Sequence, residues 1–585
     1  MPTLEWIGKD KVVNHHQEVP YRVLERQYSY DEAGQHAEDN GSENMIIHGD
    51  NLEALKALLP RYEGKVKCIY IDPPYNTGNE GWVYNDNVND PKIKKWLGEV
   101  VGKEGEDLSR HDKWLCMMYP RLKLLQKLLA EDGTIFISID DTEYANLKLV
   151  CDEIFGNNCF VSNISWQRTY STRNDSKGIV NEVEHLLVYS KQPGWNPNKL
   201  PRTEEMNARY KNPDNDDIPW KSSDAFAPGA STHPGMVYAV QHPFTGDLIY
   251  PTNGQHWAFG QEQVLEIMLG WGNYELRQLD DDKRRAEICG VSVNDIRHDV
   301  MAIMLTDTLD IARAKALQIY DRGKWPLFCF SNRGKSGIRR KTYLDVVGGR
   351  LPTNYWSFEE VGHTDEAAKT LKSIFNSKSP FDTPKPTRLI ERILQIAGNQ
   401  ESLILDSFAG SGTTAHAVLN MNKADGGHRK FILVEMMDYA GSITAERVKR
   451  VIDGYGEDKK AVEGAGGQFS YYELGPVLLL PNGNLNEEVG AQEIREYVYY
   501  METKEPMPAG QPKDEPYFMG LCRNTAYYFY YERESITTLD YAFLSTIQTK
   551  AEGYIIYADL CAIPLETLRN HNILFKKIPR DIARL

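Results

Sequence analysis

Two short motifs carry the residues that could do chemistry, and the first is Asp72-Pro73-Pro74-Tyr75. It directly follows an apolar, β-rich run from Lys65 to Ile71, and ligands of open α/β sheets bind beyond the carboxyl ends of the strands. The prolines fix φ and remove N–H donors, so the turn is rigid and presents carbonyl oxygens. The motif predicts a receptor for a planar group that bears an NH2, such as a nucleobase. An ordinary proline turn after a strand is the alternative.

An exocyclic amine is a poor nucleophile, because its lone pair is delocalised into the ring. Acceptors at Asp72 and the Pro73 carbonyl would hold its two hydrogens, and the Tyr75 ring would stack on the base. Held in this way beside a methyl donor, the nitrogen is favoured to become pyramidal and attack. This chemistry requires neither a metal nor a covalent intermediate.

The second motif runs from Asp406 to Thr414 (DSFAGSGTT) and joins a predicted strand to a predicted helix. Its glycines let the backbone approach a ligand closely, and the helix N-terminus favours an anion such as a carboxylate. Hydroxyls at Ser411 and Thr413 add donors. The motif lacks the lysine of a P-loop, and Ala415 replaces the third glycine of a dinucleotide motif. A nucleoside joined to an amino acid is the predicted ligand, and a plain glycine-rich turn is the alternative.

Glu435 supports a nucleoside ligand. It ends the next predicted strand, Phe431 to Glu435 (FILVE), where an acidic side chain can accept both ribose hydroxyls. Phe408 is expected to pack against the same ligand.

Together the two motifs resemble those of the amino-methylating DNA methyltransferases. The motif at Asp72 matches their catalytic motif, and Phe408 to Gly412 matches their S-adenosylmethionine motif. Their order, with a recognition domain between them, is that of the β group. The closer resemblance is to modification subunits of type III restriction–modification systems, from about Asn44 to the C-terminal domain. The supporting stretches are His48 to Leu52, Arg110 to Leu125, Phe136 to Asp141 and Pro380 to Glu391.

This resemblance implies transfer of a methyl group from S-adenosylmethionine to adenine N6 in duplex DNA, with base flipping and S-adenosylhomocysteine as the product. Cytosine N4 is the alternative target. It also implies a homodimer and a possible restriction subunit, a helicase–nuclease, as a partner. The implied catalytic residues are Asp72, Pro73, Pro74 and Tyr75. The implied cofactor contacts are Asp50, Lys385, Thr387, Asp406, Phe408, Gly410, Ser411, Gly412, Thr413 and Glu435, with Lys385 and Thr387 at the amino-acid end.

Strands and helices alternate in two blocks that predict two halves of one sheet with helices on both faces. With the resemblance, this indicates an α/β fold: a permuted, Rossmann-like methyltransferase sheet with an inserted target-recognition domain and a C-terminal α+β domain. The predicted boundaries are an N-terminal arm at 1–43, a catalytic half at 44–190, the insert at 191–380, a cofactor half at 381–462 and the C-terminal domain at 468–585.

A basic stretch inside the insert is the candidate DNA contact, and a solvated basic loop is its alternative. Extrusion of a base costs a few kcal/mol, so phosphate contacts must supplement stacking on Tyr75. The stretch contributes Arg333, Lys335, Arg339, Arg340 and Lys341, and Arg168 and Arg173 are further candidates.

Composition bounds these predictions. The 585 residues carry a net charge of −16, so long-range attraction of phosphate is excluded but local DNA binding is not. The sequence contains no run of 18 or more apolar residues, so no membrane span is predicted. The eight cysteines form no CxxC pair, which disfavours a zinc ribbon and suggests reduced thiols in a cytoplasmic protein. A recognition subunit that mainly docks a nuclease–helicase is the competing function. Methylation of RNA or of a protein amide is disfavoured, because protein-amide enzymes usually carry Asn at the position of Asp72.

Overall fold

The computed structural model describes residues 3–76, 107–170, 179–376, 380–510 and 512–580. It divides into two compact units, one formed by Met1–Asn198 with Pro352–Leu585 and the other by Lys199–Leu351. Within the described ranges, no helix is both long enough and apolar enough to cross a membrane.

The first unit is built on an eleven-stranded sheet. In chain order its strands are β1 (Arg22–Asp31), β2 (Gly34–His36), β3 (Met45–His48), β4 (Val66–Ile71), β5 (Leu129–Ile139), β6 (Phe160–Gln167), β7 (Val183–Ser190), β8 (Tyr355–Trp356), β9 (Leu403–Asp406), β10 (Lys430–Glu435) and β11 (Phe469–Val477). Their spatial order across the sheet is β8-β6-β7-β5-β4-β9-β10-β3-β11-β1-β2.

The centre of this sheet is parallel, from β5 through β4, β9, β10 and β3 to β11. Strands β4 and β9 are neighbours although one belongs to each half of the chain, with Ile404 paired to Cys68. The loops that follow them therefore emerge side by side at one edge. This arrangement confirms the predicted permuted α/β sheet.

Helices cover the sheet because their apolar residues recur every three or four positions. In α5, Leu389, Ile390, Ile393 and Leu394 are all buried, which places one apolar stripe against the strands. The longer helices are α1 (Asn51–Tyr62), α2 (Asp107–Leu128), α3 (Tyr144–Phe155), α4 (Thr364–Ile374), α5 (Thr387–Ala397), α6 (Thr413–Asp425), α7 (Glu446–Asp453) and α8 (Ala491–Thr503).

Segments of the first and the last predicted regions join the eleven-stranded sheet, which the predicted boundaries did not anticipate. The range 1–43, expected to be an irregular arm, contains β1, and the start of the range 468–585 supplies β11. These two strands pair antiparallel, with Glu25 opposite Glu473 and Tyr30 opposite Phe469. The range predicted as the C-terminal domain therefore begins with a strand that belongs to the eleven-stranded sheet.

Beyond β11 the chain forms a smaller α+β layer with a four-stranded sheet. Tyr527, Tyr528 and Phe529 are buried in its second strand, so these rings are core rather than a surface for bases. The strands are Phe518–Cys522, Thr525–Phe529, Gly553–Ala558 and Ile573–Lys577.

The second unit, Lys199–Leu351, lies inside the range 191–380 that was predicted as an insert. Trp257, Trp271 and Phe328 are fully buried in its core. Its larger sheets contain Val240–Gln241, Leu248–Ile249, Tyr274–Arg277 and Ala302–Leu305, and Trp220–Asp224, Phe328–Cys329 and Arg339–Tyr343. Its longer helices are Gln261–Leu269, Asp282–Cys289 and Leu309–Arg322.

Candidate active site

The first predicted loop follows β4 at the centre of the sheet. Trp114 of α2 donates its indole N–H to the Pro74 carbonyl at 2.7 Å, which fixes the proline turn. The Tyr75 hydroxyl donates to Asp72 Oδ1 at 2.8 Å and lies 3.2 Å from Glu184 Oε2. Because it is buried beside these two carboxylates, the pKa of Tyr75 is well above its ordinary value. The loop at Asp72 therefore holds a set of hydrogen-bond acceptors in fixed positions.

The second predicted loop leaves β9 and enters α6. The buried Asp406 carboxylate accepts from the Phe408 N–H at 3.1 Å and from the Thr414 hydroxyl at 2.6 Å. Burial raises the pKa of Asp406 to about 7. Gly412 has φ +81° and a Cβ there would lie 3.1 Å from the Thr444 carbonyl oxygen, so glycine is required by both conformation and space.

Arg447 of α7 supports this loop from behind and was missed from sequence. It is buried, and its Nη1 donates to Ser411 Oγ and Thr413 Oγ1, both at 2.8 Å. Burial lowers the pKa of Arg447 to about 10. Both hydroxyl oxygens thus accept from a cation, and the Thr413 hydroxyl donates its own hydrogen to the Lys385 carbonyl at 3.3 Å, so the Ser411 hydroxyl is the donor offered to an anionic ligand.

Glu435 orders the same loop at the end of β10. Its carboxylate accepts from the Gly410 N–H at 2.8 Å and from the Met437 N–H at 3.0 Å. Burial raises the pKa of Glu435 to about 7. The side chain is behind the loop rather than in the lining of the cavity described next.

One cavity of about 290 Å³ unites the two loops. Asp72 and Tyr75 line it from one side, and Phe408 and Gly410 from the other. The segment before α5 closes it, because the Lys385 ammonium lies 2.7 Å from both Asp72 carboxylate oxygens while the Lys385 carbonyl accepts from Thr413 at 3.3 Å. The complete lining is Tyr70, Asp72, Pro73, Pro74, Tyr75, Phe381, Thr383, Pro384, Lys385, Asp406, Phe408, Ala409, Gly410, Ser411, Thr413, Thr414, Met437 and Tyr439.

Comparison with known proteins identifies this arrangement. The family model described as DNA methylase matches residues 66–256 and 313–446, which together exceed half of the chain and include both loops. The chain belongs to the DNA methylase family.

Individual relatives of this DNA methylase fall into two groups. The chain is 32% identical over 448 residues to the type III restriction-modification enzyme StyLTI Mod subunit of Salmonella typhimurium, which covers 74% of this chain and 57% of that protein. The EcoP15I Mod subunit of Escherichia coli is 30% identical over 464 residues, 74% of this chain and 64% of that protein. The Type II methyltransferase M.KpnI of Klebsiella pneumoniae is 29% identical over 406 residues, which cover 68% of this chain and 81% of that protein. The chain thus spans less than two thirds of the length of both Mod subunits.

Several predicted cofactor contacts of this DNA methylase lie outside the cavity lining, namely Asp50, Thr387, Gly412 and Glu435. Asp50 caps α1, where its carboxylate accepts from the Leu52 and Glu53 N–H groups at 2.8 and 3.3 Å, and it pairs with Arg121 at 3.4 Å. Asp50 thus has a structural role as a helix cap, and its contact with the cofactor stays a prediction.

Lys385 lines the cavity, and its ammonium is directed at the loop of Asp72. It lies 2.7 Å from Asp72 Oδ1 and 2.9 Å from the Tyr75 hydroxyl, while its contact with the amino-acid end of a cofactor stays a prediction. The attraction of two carboxylates explains this, because Glu184 lies 3.7 Å away as well. Glu184 was also missed, since nothing in its local sequence links it to the loop at Asp72.

The predicted DNA contacts separate into exposed and buried cations. Arg333 and Arg339 are exposed and paired with Asp321 and Asp224, and Lys335 is exposed. Arg340 lies over the Phe259 ring at 5.5 Å. Arg168 pairs with Glu184 at 2.8 Å, beside the cavity. Arg173 lies outside the described residues.

Lys341 is the clear correction among these cations. Its side chain is 0% exposed, and Nζ lies 2.5 Å from Asp214 and 2.6 Å from Asp216. A buried, doubly paired ammonium is not available to a phosphate. The alternation of its strand turns it inward between exposed or half-buried neighbours, Arg340 and Thr342.

Proposed function

We propose that this chain transfers a methyl group from S-adenosylmethionine to the N6 amine of adenine in duplex DNA, with the target base extruded from the helix. The observation that carries the proposal is the shared cavity. It brings the acceptor loop at Asp72 and the glycine-rich loop at Gly410 to one edge of a parallel sheet.

The residues around the glycine-rich loop fit the cofactor. Phe408 offers an apolar surface, and the Ser411 hydroxyl, held by the buried Arg447 at the N-terminal end of α6, suits a carboxylate. The sulfonium of bound S-adenosylmethionine supplies an electrophilic methyl group. What the chain adds is orientation of the two reactants within one enclosed space.

The loop at Asp72 fits the target amine. The Asp72 carboxylate and the Pro73 carbonyl would accept its two hydrogens, and the Tyr75 ring would offer a stacking face. Stacking contributes roughly 1–3 kcal/mol per base, against an extrusion cost of a few kcal/mol. The exposed cations Arg333, Lys335 and Arg339 are the proposed source of additional binding free energy through phosphate contacts.

The Mod subunits named above belong to restriction-modification enzymes, which supports a place beside a restriction subunit, and the resemblance of the motif at Asp72 supports adenine as the target. We expect the chain to work as a homodimer that can associate with a helicase–nuclease. Cytosine N4 is the second candidate substrate, because the same acceptors would hold that amine.

The decisive experiment uses the purified full chain, tritiated S-adenosylmethionine and genomic DNA from a methylation-deficient bacterium. After digestion to nucleosides, label is expected in N6-methyladenine. Label in N4-methylcytosine would move the assignment to cytosine, and no label in either nucleoside would refute the proposal. Single-molecule sequencing of the product then maps the recognised sequence.

Cofactor binding is expected to depend on pH through Glu435. Its pKa is raised to about 7 by burial, and the ionised form is the better acceptor for the Gly410 and Met437 N–H groups that order the loop. Affinity for S-adenosylhomocysteine should therefore rise about five- to tenfold from pH 6 to pH 8. Isothermal titration calorimetry measures this directly.

The variant Glu435→Gln should bind more weakly and with little pH dependence, because an amide cannot accept at both ends. Glu401→Gln, at an exposed position before β9, serves as the matched control and should follow the unmodified chain. A pH dependence that survives in Glu435→Gln would assign it to another group.

A further inference from the structure

The Lys385 ammonium occupies hydrogen-bonding positions on the Asp72 carboxylate that the target amine would use. Its Nζ makes three short contacts, at 2.7 Å to each Asp72 oxygen and 2.9 Å to the Tyr75 hydroxyl. Asp72 Oδ1 also accepts from Tyr75 at 2.8 Å, so both of its lone pairs are used. An incoming amine and Lys385 thus compete for one carboxylate.

A second carboxylate lies beside the first. Glu184 of β7 is buried, and its Oε2 lies 3.7 Å from Lys385 Nζ and 3.2 Å from the Tyr75 hydroxyl. Its other oxygen is held by Arg168 at 2.8 Å. Arg168 therefore fixes Glu184 so that Oε2 faces the lysine.

Charge and burial favour a lysine that stays protonated between these two acceptors. Its side chain is only 10% exposed, and although burial alone would lower the pKa of Lys385, Asp72 and Glu184 raise it above the ordinary value. The charged or titratable groups around it are Asp72 and Tyr75 on the loop, Tyr70 on β4, Glu184 on β7, Asp406 on β9 and Arg168 after β6.

We propose that Lys385 is a positioning residue that holds the Asp72 carboxylate in place in the empty site and shifts onto Glu184 when the target amine binds. The shift requires only a small movement of a flexible side chain between neighbouring oxygens. It would keep one positive charge among the carboxylates throughout the reaction. This inference rests on the proposed function, because it names how that same site admits its substrate.

Replacement of Lys385 by glutamine should expose the role as a split between kcat and KM. Without the ammonium, the two contacts that hold the Asp72 oxygens are lost, and the carboxylates of Asp72 and Glu184 repel each other across the site. A carboxylate that is no longer held is a poorer acceptor for the amine in the transition state. The kcat of Lys385→Gln should therefore fall at least tenfold relative to the unmodified chain while KM does not rise, whereas Lys385→Arg should retain the original values.

Replacement of Glu184 should give a different signature. In Glu184→Gln the ammonium has no second carboxylate and stays on Asp72, so KM for DNA should rise about tenfold while kcat changes less. In the double variant Lys385→Gln/Glu184→Gln the competing ammonium is absent, and the KM defect should largely disappear. Glu184→Gln alone keeps the inference testable if Lys385→Gln does not fold.

The experiment measures kcat and KM on unmethylated DNA fragments that contain the recognised sequence for these four variants, with Lys369→Gln at an exposed position of α4 as the control. A kcat of Lys385→Gln equal to that of the unmodified chain, or additive KM effects in the double variant, would overturn the inference. A loss confined to S-adenosylhomocysteine affinity would also overturn it and restore the role at the amino-acid end of the cofactor. If the unmodified chain methylates no DNA, the proposed function fails instead.

Discussion

The variant Asp72→Ala is expected to lose methyl transfer by at least about 10³-fold, comparable to the upper cost of removing a preorganised polar group at a reacting centre. Alanine removes both carboxylate oxygens, and with them the contacts to Tyr75 and Lys385. The target amine would lose its main acceptor, and the loop would lose the bond that orients the Tyr75 ring. Single-turnover incorporation of label from S-adenosylmethionine measures the effect.

Cofactor binding should be spared in Asp72→Ala, because the loop at Gly410 is held by Glu435 and Arg447 rather than by Asp72. Calorimetry with S-adenosylhomocysteine is the control for this. Asp72→Asn keeps the shape of the side chain and one acceptor oxygen, so its loss should be smaller. Turnover that is unchanged in Asp72→Ala would remove the proposed mechanism.

The variant Lys341→Met should destabilise the unit Lys199–Leu351 by about 3–5 kcal/mol, because loss of one partner strands a buried charge. The stranded groups are Asp214, which also accepts from the Trp220 indole at 2.8 Å, and Asp216. Denaturant unfolding followed by tryptophan fluorescence reports on this unit, since Trp220 lies under the lysine at 5.1 Å.

Lys335→Met is the matched control for this effect. Lys335 is exposed and only six positions away, so its removal should change the free energy of unfolding by less than about 0.5 kcal/mol. The effects on DNA affinity should be reversed. At low salt Lys335→Met should bind DNA more weakly than the unmodified chain, whereas folded Lys341→Met should bind DNA with unchanged affinity. Equal midpoints of unfolding for the two variants would contradict the structural role of Lys341.

The loops at Asp72 and Gly410 could be predicted from sequence because each follows a short apolar strand, and a parallel sheet brings such loops to one edge. Local patterns also gave the strands β4 and β10 almost to the residue. Both signals depend only on neighbours in the chain. The shared cavity needed one further fact, the adjacency of β4 and β9.

What could not be predicted depends on partners far away in sequence. The burial of Lys341 requires Asp214 and Asp216, and the orientation of Lys385 requires Asp72 and Glu184. The strand β1 was missed because its residues RVLERQYSYD are mostly polar, and its partner β11 lies near the other end of the sequence. Spacing within a segment carries no information about such contacts.

The order of strands in the sheet also determines when each strand can pair with its neighbours during synthesis. Strand β3 pairs with β10 and β11 alone among the described residues, so Met45 has no neighbour until Ile432 leaves the ribosome. At bacterial elongation rates of about 5–20 residues per second that wait is roughly 20–80 s. During it the apolar edges of β3 and β4 face either water or other nascent chains. Production of the intact chain should therefore depend on chaperone supply, and on low temperature because cooling weakens hydrophobic association, more than its final stability suggests.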